Sequence, residues 1–341
     1  MKPLFHPSLV NGPFDDPALY IDFLFEKRAI LFDLGDLHAF PPRKILRVSH
    51  AFVSHTHMDH FTGFDRILRI LLAREKVLHL YGPPGFADRV EHRLASYTWN
   101  LVENFTADFA IVAAEFDGRE LRSARFRCRD RFAREEGGVR QVTDGILLEE
   151  ETFRVRSVVL DHKIPCLAFA LEEKNHVNIM KNRLLERGFR VGPWLTELKT
   201  AVLRGDADAS PVRVWWREEG ALSERFIPLG TLRKDILRIV PGQKIAYVTD
   251  AVCSEENAAR ITGLAQGADY LFIEAMFLHG DEERAREKHH LTARQAGILA
   301  REAGAERVLP FHFSPKYSGM EDALRREVEA FFCSPASERE S

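Results

Sequence analysis

Cysteine is scarce. The four in 341 residues, Cys128, Cys166, Cys253 and Cys333, form no C-x-x-C pair. Zinc ribbons and disulfide frameworks need closer or denser spacing, so these read as reduced thiols in a reducing compartment. Long apolar runs are also missing. No stretch approaches the roughly 18 apolar residues of a membrane span, and residues 1–7 lead to Gly12-Pro13 and an acidic pair instead of an apolar signal core. The expectation is a cytoplasmic protein with no membrane attachment. Neither sign of charge dominates: 48 Lys and Arg stand against 51 Asp and Glu, for a net charge of -3. A globally basic nucleic-acid binder is excluded, although a local basic patch is not. There is no internal repeat and no low-complexity segment. What is present, 45% hydrophobic and 29% charged residues, is enough for a sizeable core.

Periodicity gives a coarse order of elements. Short apolar strands are expected near residues 20–25, 29–33 and 45–53, then a helix over 65–73, a strand over 77–81 and a helix over 86–101. Residues 107–160 alternate at period two and suggest antiparallel sheet. The segment 172–242 is rich in Lys, Arg and Glu, with a helical pattern near 177–185, and suggests a small helical arm inserted in the fold. Beyond it an α/β pattern returns: strands over 244–250, 270–274 and 307–312, with helices over 255–265 and 292–303, the last with Thr292 as N-cap. Residues 334–341 read as a polar tail.

Several of these strands end in His or Asp. His55-Thr56-His57-Met58-Asp59-His60 follows an apolar strand and offers four potential ligands in six residues. Two His residues two apart at a strand end point to the same side, so both imidazoles reach one ion, while Asp59 and His60 in the next turn can face a second. His162, Asp250 and His312 each follow another apolar strand. Taken singly, each is more often a surface or turn residue; beside the cluster they are candidate further ligands. Two cations about 3.5–4 Å apart call for a shared carboxylate, with Asp250 as the candidate, and lower the pKa of a water between them toward about 7. The chemistry indicated is hydrolysis of an ester or phosphodiester.

These residues, read in order over 20–318, resemble the metallo-β-lactamase superfamily and, within it, the ribonuclease Z branch. The carriers are Leu31-Phe32-Asp33-Leu34-Gly35-Asp36, Ser54 to Gly63 with the His cluster, Tyr81-Gly82-Pro83-Pro84-Gly85, Asp161-His162, Val248-Thr249-Asp250, Ile273-Glu274-Ala275-Met276-Phe277, His290-Leu291-Thr292 and Phe311-His312-Phe313-Ser314-Pro315-Lys316-Tyr317. The resemblance implies an α/β fold, a four-layer αβ/βα sandwich spanning 1–333 with an inserted arm at about 172–242. It implies two divalent ions, zinc first, with manganese or iron also admitted by the ligands. His55, His57 and His162 would hold one, Asp59, His60 and His312 the other, and Asp250 would bridge. Catalytic roles fall to Asp59, to His290 as proton donor, and to Glu274 supporting it. The implied activity is endonucleolytic removal of the 3′ trailer of precursor tRNA, by a homodimer. The alternative on the same site is hydrolysis of small phosphodiesters or other esters.

The sequence departs from the family in two places. The Gly-Glu-Gly-Thr-Gln run expected after the first aspartate is replaced by Gly35-Asp36-Leu37-His38. The arm segment is less rich in Gly and Pro than the family's tRNA-gripping arm. Lys174, Lys181, Arg183, Arg187 and Arg190 would form a basic face for phosphates, but Glu172, Glu173 and Glu186 are mixed among them, as on an ordinary solvated face.

Overall fold

The computed structural model describes residues 5–24, 26–218 and 221–334, so all of the expected tail except Ser334 lies outside the described residues. Two compact units are present: Met1–Leu148, Val155–Leu171 and Lys244–Ser341 form the first, and Glu149–Arg154 and Glu172–Gln243 the second.

The first unit is built on two sheets. One has eight strands in sequence order: β1 (Phe5–Leu9), β2 (Leu19–Phe23), β3 (Ala29–Phe32), β4 (Val48–Phe52), β5 (Lys76–Gly82), β6 (Phe109–Phe116), β7 (Glu120–Arg127) and β8 (Arg134–Gln141). β3 to β6 run parallel and need helical crossovers, while β6, β7 and β8 pair antiparallel, as the alternation over 107–160 predicts. The other sheet has β9 (Ile146–Glu149), β10 (Phe153–Asp161) and β11 (Pro165–Glu173), joined after the second unit by β16 (Lys244–Val248), β17 (Tyr270–Glu274) and β18 (Val308–Phe311), in the order β18-β17-β16-β11-β10-β9.

Aromatic side chains pack the inner faces together. The Phe32 ring lies 5.3 Å from Phe169 and 5.7 Å from Tyr247, and Phe52 lies 5.6 Å from Phe169. Fully burying such a side chain contributes about 1.5–3 kcal/mol. Cys166 to Leu171 in β11 are wholly buried, which explains their unbroken apolar run: a strand covered on both faces cannot alternate. Helices cover the outer faces. Phe64, Ile67, Leu68 and Leu71 of the helix Phe64–Leu71 recur at helical spacing and pack on the first sheet. Ile261, Leu264, Ala296, Leu299, Leu324 and Val328 cover the second. This is the expected four-layer sandwich. The Thr292 cap closes a full capping box: its hydroxyl accepts from the Gln295 amide at 3.2 Å, and the Gln295 side chain accepts from the Thr292 amide at 2.9 Å.

One helix is shorter than its periodicity suggests. The helix Phe86–Ala95 stops well before residue 101. The Ser96 amide turns back to His92 O, and Trp99 Nε1 donates to Leu94 O at 2.9 Å, folding the following apolar residues over the helix end.

The second unit mixes strands with helices, where a purely helical arm was expected. β12 (Asn175–Ile179) pairs with β15 (Leu237–Pro241), and β13 (Pro211–Glu218) with β14 (Ala221–Pro228); the helices are Lys181–Glu186, Trp194–Arg204 and Leu229–Ile236. Its own core holds Leu184, Trp194, Leu198, Val214, Leu229 and Ile236. In β13, Val212, Val214 and Trp216 turn inward while Arg213 and Arg217 stay exposed. That period-two signal is short, and the surrounding charge hides it. The helical reading of 177–185 spans a strand and a helix joined at Met180.

Candidate metal centre

All the candidate site residues lie in the first unit, and all but His290 are at or just past strand ends. After β4 the chain reaches Ser54 and His55. His57 then opens the short helix Met58–Phe61, which carries Asp59 and His60. His162 follows β10, Asp250 follows β16, Glu274 ends β17, and His312 follows β18. His290 sits between the helix Glu282–Lys288 and the Thr292 cap.

The loop that carries Asp59 and His60 is fixed by backbone contact. Leu34 N–H donates to His60 O at 2.9 Å and Gly63 N–H to Leu34 O at 2.8 Å. A Cβ on residue 63 would collide with the Gly35 carbonyl, so only glycine lets the loop pack this closely.

The side chains converge in three groups. His55, His57, His162 and Asp250 bring one ligand atom each to within 4.8 Å of one another, as do Asp59, His60 and His312, and Asp250, Glu274, His290 and His312. Asp250 stands between the groups. Its Oδ2 lies 3.5 Å from His55 Nε2, 3.5 Å from His60 Nε2 and 3.4 Å from His162 Nε2, and its Oδ1 lies 2.8 Å from His312 Nδ1.

Hydrogen bonds behind the imidazoles set which nitrogen faces inward. His60 Nδ1 donates to Asp33 Oδ2 at 2.9 Å, and His162 Nδ1 to the His289 carbonyl at 2.7 Å. Ser54 Oγ donates to Asp33 at 2.9 Å and so can accept from His55 Nδ1 at 3.1 Å. Each ring therefore turns Nε2 toward Asp250. His55 Nε2, His60 Nε2 and His312 Nδ1 are buried with no hydrogen-bond partner, although the last is close to Asp250 Oδ1. Lone pairs of neutral imidazoles facing a carboxylate suit a cation between them. On the donor set and these orphaned atoms, the residues fit a pair of divalent ions.

The electrostatics agree. Burial and the neighbouring His60 push His55 down to about 2, so it is a neutral donor. Burial opposes charge on His60, yet Asp250 and Asp33 on either side hold its pKa well above the ordinary value. His312 is likewise driven up to about 9, against burial, by Asp250 and Asp59. Asp250 stays ionised in spite of burial because His312 and His60 surround it. Positive charge is stabilised here, whether protons or metal ions carry it.

Asp33, legible in the sequence only as part of a motif, organises the site. Its carboxylate accepts from the Ser54 amide at 2.6 Å, from Ser54 Oγ, from His60 Nδ1 and from the Tyr247 hydroxyl at 2.9 Å. Asp33, Asp250 and His312 all have positive φ, at 58°, 26° and 57°. Such backbone costs about 1–3 kcal/mol per residue and clusters at functional sites. A sequence signal for Asp33 exists, an acid closing an apolar strand just before Leu34-Gly35, but Tyr247 has none. Glu274 and His290 form a second layer: His290 Nδ1 donates to Glu274 Oε2 at 2.8 Å, and Glu274 Oε1 accepts the amides of Ala251 and Leu291 at 2.8 and 3.2 Å. Burial would lower the His290 pKa, but Glu274 raises it.

No family model matches the chain. Among curated proteins, ribonuclease Z of Deinococcus radiodurans is 32% identical over 317 residues, covering 91% of this chain and 90% of that protein. Ribonuclease Z of Thermobifida fusca is 36% identical over 289 residues, covering 84% and 73%. Among solved structures, the metallo-β-lactamase fold protein YhfI from Bacillus subtilis superposes with a TM-score of 0.53 at 14% identity, covering 96% of this chain and 92% of that chain; this likeness speaks to the fold alone. With a four-layer metallo-β-lactamase fold and relatives above 30% identity along nearly its whole length, the chain belongs to the ribonuclease Z family.

Proposed function

We propose that the chain is a metal-dependent endoribonuclease that removes the 3′ trailer of precursor tRNA in the cytoplasm, as a homodimer, with two zinc ions. The single observation that carries the chemistry is Asp250 lying between two ligand groups, with His55 Nε2 in one and His60 Nε2 in the other buried without a hydrogen-bond partner. His55, His57 and His162 would hold one ion, Asp59, His60 and His312 the other, with Asp250 shared. When bound, the ions supply Lewis acidity toward the phosphate and a nucleophilic water at neutral pH. The rest is done by the chain. Asp33 and the His289 carbonyl fix the tautomers of His60 and His162. Glu274 orients His290 and raises its pKa, which favours the protonated ring that a donor to the leaving oxygen needs. The tRNA substrate rests on membership of a family named for this activity.

The test is cleavage of a precursor tRNA with a 3′ trailer, beside bis(p-nitrophenyl) phosphate, by metal-loaded wild type and Asp59→Ala. Cleavage at the trailer by wild type but not the variant is expected. Hydrolysis of the small diester alone would keep the metal chemistry and sink the tRNA assignment. Light scattering in solution tests the dimer, and a single-chain mass would remove it.

A further inference from the structure

Beside the candidate metal centre, the first unit holds a cavity of about 390 Å³. Segments that serve the centre also form its walls. Val252 and Cys253, just past Asp250, make one side, and residues of the helix Glu282–Lys288 make the other. His290 lies on the wall as well. Its ring is also 4.9 Å from that of His162 and 5.8 Å from that of His312. His290 Nδ1 donates to the buried Glu274, so Nε2 is the nitrogen left for a reacting group. One imidazole thus borders both the metal ligands and the cavity. The helical wall is polar. Gln295 is fixed by the capping box, and its Nε2 donates to Glu282 Oε1 at 3.0 Å, which holds that carboxylate in one place. Glu283 and Arg286 are exposed, and neither side chain makes a hydrogen bond or ion pair among the described residues.

We propose that this cavity holds the nucleoside that carries the leaving oxygen, a step that rests on the endonuclease reading above. In that reaction a water oxygen bonds to phosphorus, the bond from phosphorus to one ribose oxygen breaks, and that oxygen takes the proton of His290. The departing ribose must then lie within hydrogen-bond reach of His290, and the space next to that ring is this cavity. Its volume of about 390 Å³ falls in the range of small-molecule sites. Its charge disfavours a phosphate as occupant, because two carboxylates, Glu282 and Glu283, stand against the single guanidinium of Arg286 and like charges repel. A neutral nucleoside suits the same walls. Its hydroxyl and amino groups donate to the carboxylates, its ring nitrogens and carbonyls accept from Arg286, and Val252 and Cys253 offer an apolar face to the base. The leaving oxygen belongs either to the 3′ position of the upstream nucleoside or to the 5′ position of the downstream one.

The experiment uses metal-loaded protein and precursor tRNA made with an abasic ribose on one side of the cut or the other. The end groups of the wild-type products show which oxygen leaves: a 3′-hydroxyl on the upstream piece or a 5′-hydroxyl on the downstream piece. Removing the base on that side should lower kcat/KM about tenfold, and removing the other should not. Cys253→Trp, which fills the cavity, should lower kcat/KM on the unmodified substrate by a similar factor. On the substrate that lacks the leaving-side base it should add nothing. No effect of either base, an effect on the wrong side, or full additivity with Cys253→Trp overturns the proposal. A second measurement needs neither cleavage nor a variant. Iodoacetamide labels Cys253 and Cys333, both exposed. Saturating adenosine should suppress labelling of Cys253 and leave Cys333 unchanged, while inorganic phosphate protects neither. No protection by adenosine, or equal protection by phosphate, overturns the nucleoside assignment. If wild type fails to cut precursor tRNA, the endonuclease reading falls, and the labelling alone decides what the cavity holds.

Discussion

The metal-bearing unit and the inserted unit were built under different constraints. In the first, six separated segments each deliver a candidate ligand or proton-transfer group to one place, and each segment is an apolar strand, or a cap, with a polar residue at its end. In the second, a much shorter length of chain folds around Trp194 and Leu198, and several of its charged residues pair with one another: Arg187 with Asp235, Arg213 with Glu224, Arg233 with Asp208. Chemistry fixes residue type and spacing at a metal centre. A surface that need only be folded and charged tolerates many sequences.

The largest effect that would sharpen this contrast is at Asp59. Asp59→Ala should abolish cleavage of both precursor tRNA and the small diester while circular dichroism stays native; retained activity on either would break it. Next is His290→Ala, expected to lower kcat by about 10²–10⁴, the usual contribution of a general acid, with metal content unchanged. Loss of metal instead would make His290 a ligand. Asp33→Asn should then weaken metal binding about 10–100-fold, as removal of a group orienting a ligand does, read by competition with a chelator.

Proton competition gives the pH dependence. His60 and His312 have raised pKa values in the metal-free protein, the latter to about 9. Protons therefore compete with the ions at neutral pH, and apparent metal affinity should climb as pH rises toward about 9; a flat profile from pH 6 to 9 would contradict the assignment. His50 supplies the smallest effect and lies away from the site. Burial and the neighbouring His79 lower its pKa to about 3. The unfolded chain takes up that proton first, so the contribution to stability is present above about pH 6.5 and is lost as pH falls toward 3. His50→Phe should flatten acid unfolding in that window.

How much could be read in advance follows the same division. His55, His57, Asp59 and His60 declare themselves because four ligands in six residues have no ordinary structural use. His162, Asp250 and His312 are legible only as a set, since a strand ending in one polar residue is commonplace. Asp33 lies in a recognisable motif, yet its role depends on four donors, one of them Tyr247 more than 200 positions away along the chain. No local pattern encodes that. The helix ending at Ala95 instead of 101 turns on a Trp99 hydrogen bond, a tertiary contact that periodicity cannot register. The sheet content of the inserted unit leaves little trace in the sequence because Val212, Val214 and Trp216 alternate for too short a run among arginines and glutamates.

The most direct test is the metal content of three purified proteins, by mass spectrometry with anomalous scattering from crystals. Wild type should hold two ions per chain with Asp250 between them. Asp59→Ala should keep only the ion near His55, His57 and His162, and Asp250→Ala should lose both. A single ion in wild type, or two ions surviving in Asp250→Ala, would contradict a shared dinuclear centre.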